Sequence, residues 1–145
     1  TNSLVSNLIG EGRSNEVFTL IKKIIFMSLG FTFVLSAISY FIPEFLVSFY
    51  TNNPELISQT TSTLHVINFT MFFFCISFIL FNGVTGTGNT KTSMLIEGTN
   101  IAIYISSAYY IAITLQSSLP VVWASEFIYF GFLGLFSFLY LKFGN

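Results

Sequence analysis

Residues 64–81 read LHVINFTMFFFCISFILF and contain no Asp, Glu, Lys or Arg. The stretch free of these residues extends in both directions, from residue 56 to residue 90. About 20 apolar residues are enough for a helix to cross the roughly 30 Å hydrocarbon core of a bilayer. Transmembrane strands instead alternate apolar with polar side chains, and the run MFFF at 71–74 does not alternate. The stretch therefore predicts a transmembrane helix.

The composition of the whole chain supports a membrane protein. Apolar residues make up 53% of the 145 residues and charged residues 8%, whereas a typical globular domain has roughly 25% charged residues. A net charge of −1 with five basic residues provides no electrostatic surface for nucleic acid. Cys75 is the single cysteine, which excludes an intrachain disulfide and a multi-cysteine metal site. No catalytic constellation, metal site or organic cofactor is predicted.

Turn-forming residues divide the apolar sequence into four predicted transmembrane helices. Pro43 closes the first span and Pro54 opens the second, because proline interrupts a helix but is favourable at its first position. Gly10 and Gly12 end an earlier helical segment. The predicted fold class is an all-α integral membrane protein with spans at about 15–42, 54–85, 91–115 and 120–142, preceded by the end of another helix at 1–12.

The basic residues predict the orientation in the membrane. Arg13, Lys22 and Lys23 precede the uncharged part of the first span, which begins at about Ile24. Lys91 lies at the turn between the second and third spans, and Lys142 lies at the end of the fourth. With four spans these positions share one side of the membrane, and the loops on the other side contain no Lys or Arg. Cytoplasmic loops retain Lys and Arg. Both ends of the chain are therefore predicted to be cytoplasmic, in a multi-pass protein of the plasma membrane.

Polar residues recur at helical spacing along the second and third spans. Within lipid such side chains face protein or water, so they either pack between helices or line a substrate path. Both interpretations remain open at this stage. The second span carries His65, Asn68, Cys75 and Asn82, and the third carries Glu97, Asn100, Tyr104, Ser107 and Thr114. The substrate-path candidates are Asn68, Asn82, Asn100 and Tyr104.

Three ionisable residues within the spans are candidates for a cation or proton site: Glu126, Glu97 and His65. A carboxylate at the centre of a bilayer is unfavourable by about 2.5–3.5 kcal/mol on insertion scales. Glu126 therefore needs a partner, a proton or water. Glu97 can reach the inner interface or pair with Lys91. His65 lies near the outer end of its span.

Three short motifs together resemble the multidrug and toxic compound extrusion (MATE) family of secondary transporters. They are VSNLIGEGR at 5–13, FYTNNPEL at 49–56 and GTGNT at 86–90. Their order and spacing across two helices make the match specific, and the resemblance covers nearly the whole chain. It implies the C-terminal part of a twelve-helix, two-lobe protein, with the four spans as helices nine to twelve.

The resemblance also implies a function, which is efflux of small organic substrates coupled to inward movement of Na⁺ or H⁺. It implies a transporter and not an enzyme, with a coupling ion in place of a cofactor. The implied partners are membrane lipid, the missing N-terminal lobe and the substrates. Some members carry an acid in the tenth helix where this chain has Phe74 or its neighbours. This difference favours a cation site at Glu126 or on helices outside the chain.

Two alternatives stay open. A lipid-linked oligosaccharide flippase belongs to the same superfamily, although a polar, charged cavity favours it and two lone glutamates do not. A small four-helix membrane protein without transport activity is the other, and a reading frame with further spans upstream of Thr1 would eliminate it.

Overall fold

The computed structural model describes residues 1–144, and its regular structure is helical. A 3₁₀ turn at Ser14–Glu16 leads into the second α-helix, and a π-helical segment at Tyr110–Thr114 continues the fifth. The α-helices are α1 (Asn2–Gly10), α2 (Val17–Phe41), α3 (Pro43–Ser48), α4 (Pro54–Gly86), α5 (Thr90–Tyr109), α6 (Leu119–Trp123) and α7 (Ser125–Phe143). The all-α fold class is confirmed.

Three helical stretches are long and apolar enough to cross a membrane: Ser14–Phe41, Pro54–Gly86 and Leu119–Phe143. They correspond to the first, second and fourth predicted spans. The third corresponds to α5, which carries Lys91, Glu97 and Asn100 and is less apolar on average. It ends in the π-helical segment, and the fourth begins with the short helix α6 before α7.

Local sequence explains where α4 and α5 begin and end. Asn53 caps α4, because its Oδ1 accepts a hydrogen bond from the Glu55 backbone N–H at 3.0 Å. The turn after α4 contains Gly88 at φ +79°, a left-handed conformation that glycine adopts readily. Asn89 then caps α5 by accepting from the Thr92 N–H at 3.1 Å. The GTGNT motif therefore ends α4 and begins α5.

The long helix α4 lies at the centre of the bundle. At 33 residues it is about 50 Å long, and it packs against α2 on one side and α7 on another. Its approach to α7 is close, because a Cβ at Gly134 would lie 2.5 Å from Ser77 Oγ. Ser77 Oγ donates to the Phe130 carbonyl oxygen at 2.6 Å. Such small-residue and hydroxyl contacts are typical of helices that associate in lipid.

The helix α1 docks at the end of α4. Ser6 Oγ donates to the Gly86 carbonyl oxygen at 2.9 Å, and Val5 is fully buried beside Gly86. In the adjoining turn, Asn89 Nδ2 lies 3.1 Å from the Tyr140 hydroxyl near the end of α7. The N-terminal helix, the α4–α5 turn and the C-terminal part of α7 thus lie at one end of the bundle.

Large apolar side chains cover much of the surface. On α2 alone Phe26 is 81% exposed and Met27 is 76% exposed. A soluble monomer rarely exposes contiguous apolar surface on this scale. The surface is suited to lipid or to further transmembrane helices.

Candidate functional site

Two reciprocal hydrogen bonds join α5 to α7. The Tyr104 hydroxyl of α5 donates to Glu126 Oε1 of α7 at 2.9 Å. The Tyr129 hydroxyl of α7 donates to Glu97 Oε1 of α5 at 2.8 Å. The two tyrosine rings lie between these bonds, with centroids 5.4 Å apart and planes inclined at 69°. We call these four residues the crossed Tyr–Glu pairs.

Helical spacing accounts for the crossing. Glu97 and Tyr104 are seven residues apart on α5, and Glu126 and Tyr129 are three apart on α7, so each helix presents its two residues on one face. Each carboxylate then meets the tyrosine of the other helix. A carboxylate inside a membrane is strongly disfavoured without a donor, and each hydroxyl provides one.

The alternative in which Glu97 pairs with Lys91 is wrong for this structure. Among residues 1–144 the ion pairs all involve Arg13, and Glu97 accepts instead from Tyr129. Six residues on a helix correspond to about 600° of rotation. Lys91 and Glu97 therefore project from different faces, which explains why Lys91 does not reach the carboxylate.

Asn100 lies beside the crossed Tyr–Glu pairs, one turn from Glu97 and one turn from Tyr104 along α5. Its side chain is completely buried, and neither Oδ1 nor Nδ2 has a hydrogen-bond partner among the described residues. A buried amide normally satisfies both groups. Asn100 therefore retains unused donor and acceptor capacity next to two carboxylates.

Glu126 also lines a cavity with a volume of about 190 Å³ between α4, α6 and α7. The other walls include Thr70, Phe74, Trp123 and Phe130. Phe74 lies on the α4 wall of this cavity, and its carboxylate comes from Glu126 on the α7 wall.

A second cavity lies between α2 and α4 and has a volume of about 330 Å³. Its walls are aromatic, and Asn68 supplies the amide group among them. Asn68 is buried, and its Nδ2 has no hydrogen-bond partner in the described part of the chain. The lining side chains include Phe33, Tyr40, Phe41, Asn68, Phe69 and Phe72.

His65 lies near this second cavity and contacts one of its walls. The imidazole packs on the Tyr40 ring with centroids 4.8 Å apart. Its Nδ1 is buried and has no hydrogen-bond partner within residues 1–144. His65 and the aromatic cavity therefore both lie at the contact between α2 and α4.

The structure thus divides the predicted site residues between two places. Glu97, Asn100, Tyr104 and Glu126 meet at the α5–α7 contact, while His65 and Asn68 face α2. Asn82 donates to the Phe78 carbonyl oxygen of its own helix at 2.8 Å and joins neither group. Tyr129 was not among the predicted site residues. Its position one turn after Glu126 on the same face is the signal that could have found it.

Metal binding and surface charge complete the description of the site. In the part of the chain that the structure describes, no group of three or more His, Cys, Asp or Glu side chains could hold a metal ion. At the exposed start of α2, Arg13 binds Glu16 at 2.7 Å and Glu11 at 3.0 Å. The hydrogen bond to Glu16, followed by the one to Glu11, raises the pKa of Arg13 above its usual range. The bond from Arg13 lowers the pKa of Glu16.

Comparison with known proteins agrees with the motif resemblance. The family model described as MatE matches residues 1–110. The "Probable multidrug resistance protein NorM" of Thermotoga maritima is 29% identical over 94 residues, which are 65% of this chain and 20% of that protein. The chain therefore spans about a fifth of the length of that curated relative. No solved structure matches the chain.

The family match includes all three motifs, since it begins at Thr1 and extends beyond the α4–α5 turn into α5. It covers well over half of the 145 residues. The apolar helices described above are those of a multi-pass membrane protein. The predicted resemblance is confirmed, and the chain belongs to the MatE family.

Proposed function

We propose that this chain is part of a secondary transporter that exports organic solutes in exchange for Na⁺ or H⁺. Membership of the MatE family supports transport over the small scaffold protein, and a relative is named as a multidrug resistance protein. The observation that carries the proposal is Glu126. Its carboxylate lies within a transmembrane helix, accepts from Tyr104 and lines a cavity between helices.

Glu126 is the coupling residue in this proposal. A carboxylate held by one tyrosine hydroxyl keeps acceptor capacity for a cation or a proton. When it is charged, the site attracts the coupling cation. When the cation or proton binds, the charge is neutralised. Glu97 and Asn100 extend the polar region inward from Glu126.

The solute path in this proposal includes the aromatic cavity beside Asn68. Aromatic faces bind flat or cationic organic groups, and Asn68 is the amide side chain of the lining. The walls of this cavity are mainly apolar. They favour an amphipathic solute over the oligosaccharide of a lipid-linked substrate. In this proposal the α1 end of the bundle, with the α4–α5 turn, faces the cytoplasm.

The test is efflux by the complete gene product under imposed Na⁺ and pH gradients, with Glu126→Gln compared at matched membrane expression. Loss of gradient-driven efflux in Glu126→Gln is expected. The control is Glu55→Gln, which removes an exposed acid in the first turn of α4 and should transport normally. Efflux by Glu126→Gln equal to that of Glu55→Gln and wild type would reject Glu126 as the coupling residue.

A second variant tests the solute path. Asn68→Leu removes the amide from the lining of the aromatic cavity and keeps the number of side-chain heavy atoms. It should raise the solute concentration needed for half-maximal efflux and leave the dependence on the ion gradient unchanged. Unaltered solute dependence would exclude Asn68 from the path.

A further inference from the structure

Two lysines at the α1 end of the bundle lie over aromatic rings. Lys22 Nζ of α2 is 4.9 Å from the centroid of the Phe18 ring. Lys142 Nζ of α7 is 5.7 Å from the centroid of Phe138 and 5.0 Å from that of Phe143. The Phe18 and Phe138 rings are in contact, with centroids 5.8 Å apart. The lysines of two different helices are thus joined through one aromatic contact.

Helix direction explains why both ammonium groups approach the contact between Phe18 and Phe138. Side chains on an α-helix tilt toward its N-terminus. Lys22 leans back toward the start of α2, and Lys142 leans back from the end of α7 toward the apolar part of the helix. Their aliphatic stems lie along half-buried phenylalanines while the residues themselves remain exposed.

The charges of these two lysines are not used by neighbouring acids. In the described part of the chain neither forms an ion pair, and the two acids near the start of α2, Glu11 and Glu16, are bound by Arg13. Lys23 lies close enough to Glu16 to act on its charge. Lys22 and Lys142 therefore present two positive charges beside an apolar helix surface.

We propose that Lys22 and Lys142 bind the phosphate headgroup of an anionic phospholipid, with the acyl chains lying along α2 and α7. Basic sites between transmembrane helices at the membrane boundary bind anionic lipid headgroups. Here the charges flank the membrane-spanning parts of both helices, and the exposed Phe26 and Met27 continue the apolar surface from Lys22 toward the membrane interior. The proposal is independent of which solute or ion is transported.

The experiment uses the complete protein in a neutral detergent and measures binding of dioctanoylphosphatidylglycerol by native mass spectrometry. Lys22→Gln and Lys142→Gln should each weaken binding about fivefold, the effect of removing one basic residue from an anionic lipid surface. Lys91→Gln is the matched control, because Lys91 is exposed at the same end of the bundle but lies over no aromatic ring among residues 1–144. It should bind as wild type does. Lys22→Arg should retain binding.

Three outcomes would overturn the proposal. Equal weakening by Lys91→Gln would show that only the overall surface charge matters. Equal binding of dioctanoylphosphatidylcholine would show that the headgroup charge is irrelevant. Full competition by inorganic phosphate at the concentration of the lipid would show a free-anion site. Circular dichroism confirms that each variant is folded before binding is compared.

Discussion

Replacing the tyrosines of the crossed Tyr–Glu pairs by phenylalanine removes one hydroxyl and keeps the ring. The contact between the two rings should persist, because their centroids are 5.4 Å apart and the hydroxyls lie at the far ends of the rings. Tyr104→Phe leaves Glu126 without its donor, and Tyr129→Phe leaves Glu97 without its donor. The perturbation is therefore confined to a single hydrogen bond in each variant.

The expected magnitude follows from the setting of these bonds. Hydrogen bonds between transmembrane helices contribute about 0.6 kcal/mol on average and up to about 1.7 kcal/mol, whereas bonds to a charged acceptor contribute about 1.5–3 kcal/mol. At 2.8 and 2.9 Å both bonds are short enough for either class. We expect a loss of about 1–2 kcal/mol for each variant.

The assay is reversible unfolding of the complete protein by SDS in mixed micelles, followed by circular dichroism. Tyr109→Phe is the matched control, because Tyr109 is on the same helix, is exposed, and makes no side-chain hydrogen bond in the described region. The free energy of unfolding should be unchanged for this control. If Tyr104→Phe and Tyr129→Phe also leave it unchanged, the crossed bonds do not hold α5 to α7.

Three further predictions concern the α1 end of the bundle. Gly86→Ala should lower the free energy of unfolding by about 1–3 kcal/mol, because the added Cβ would lie 2.7 Å from Val5 Cβ and 2.8 Å from the Asn2 carbonyl oxygen. The control is Gly98→Ala, whose added Cβ meets no neighbour within 4 Å. An equal loss of stability in Gly98→Ala would contradict this explanation. The Glu16 carboxyl should titrate below the usual glutamate pKa because Arg13 donates to it. The stability that this contact provides is therefore present at neutral pH and is lost as the pH falls through the lowered pKa. An NMR titration of Glu16 that is unchanged in Arg13→Gln would contradict this. Thr87→Cys should react with an impermeant thiol reagent from the cytoplasmic side only, and labelling from outside intact cells would reverse the proposed orientation.

Much of the fold could be predicted because its signals are local. The uncharged stretch around residues 56–90 marks α4, and Asn53 and Asn89 mark the starts of α4 and α5 by the side-chain caps that asparagine makes. The polar faces of α4 and α5 were visible as helical spacings. These features depend only on residues within a few turns of each other.

Which polar face meets which helix could not be predicted in the same way. The partner of Glu97 is Tyr129, 32 residues away, and the choice depends on α5 packing mainly against α7 and less against α4. The complete burial of Asn100 is equally a tertiary property, because it results from the packing of α5 against other helices. Sequence spacing identifies a face, but only packing identifies its partner.

The crossed Tyr–Glu pairs also bear on the prediction that α5 spans the membrane, which its low average hydropathy alone does not support. Glu97 and Asn100 project toward α7, where Glu97 accepts a hydrogen bond and Asn100 is buried. Large apolar side chains are exposed on another face, where Met94 is 75% exposed and Ile105 is 59% exposed. Met94 and Ile105 are eleven residues apart and therefore share one face, which lies about 120–140° around the helix from the buried Asn100. An average over all residues mixes the two faces. Considered face by face, α5 presents apolar residues outward and polar residues inward, as a transmembrane helix with a functional interior does.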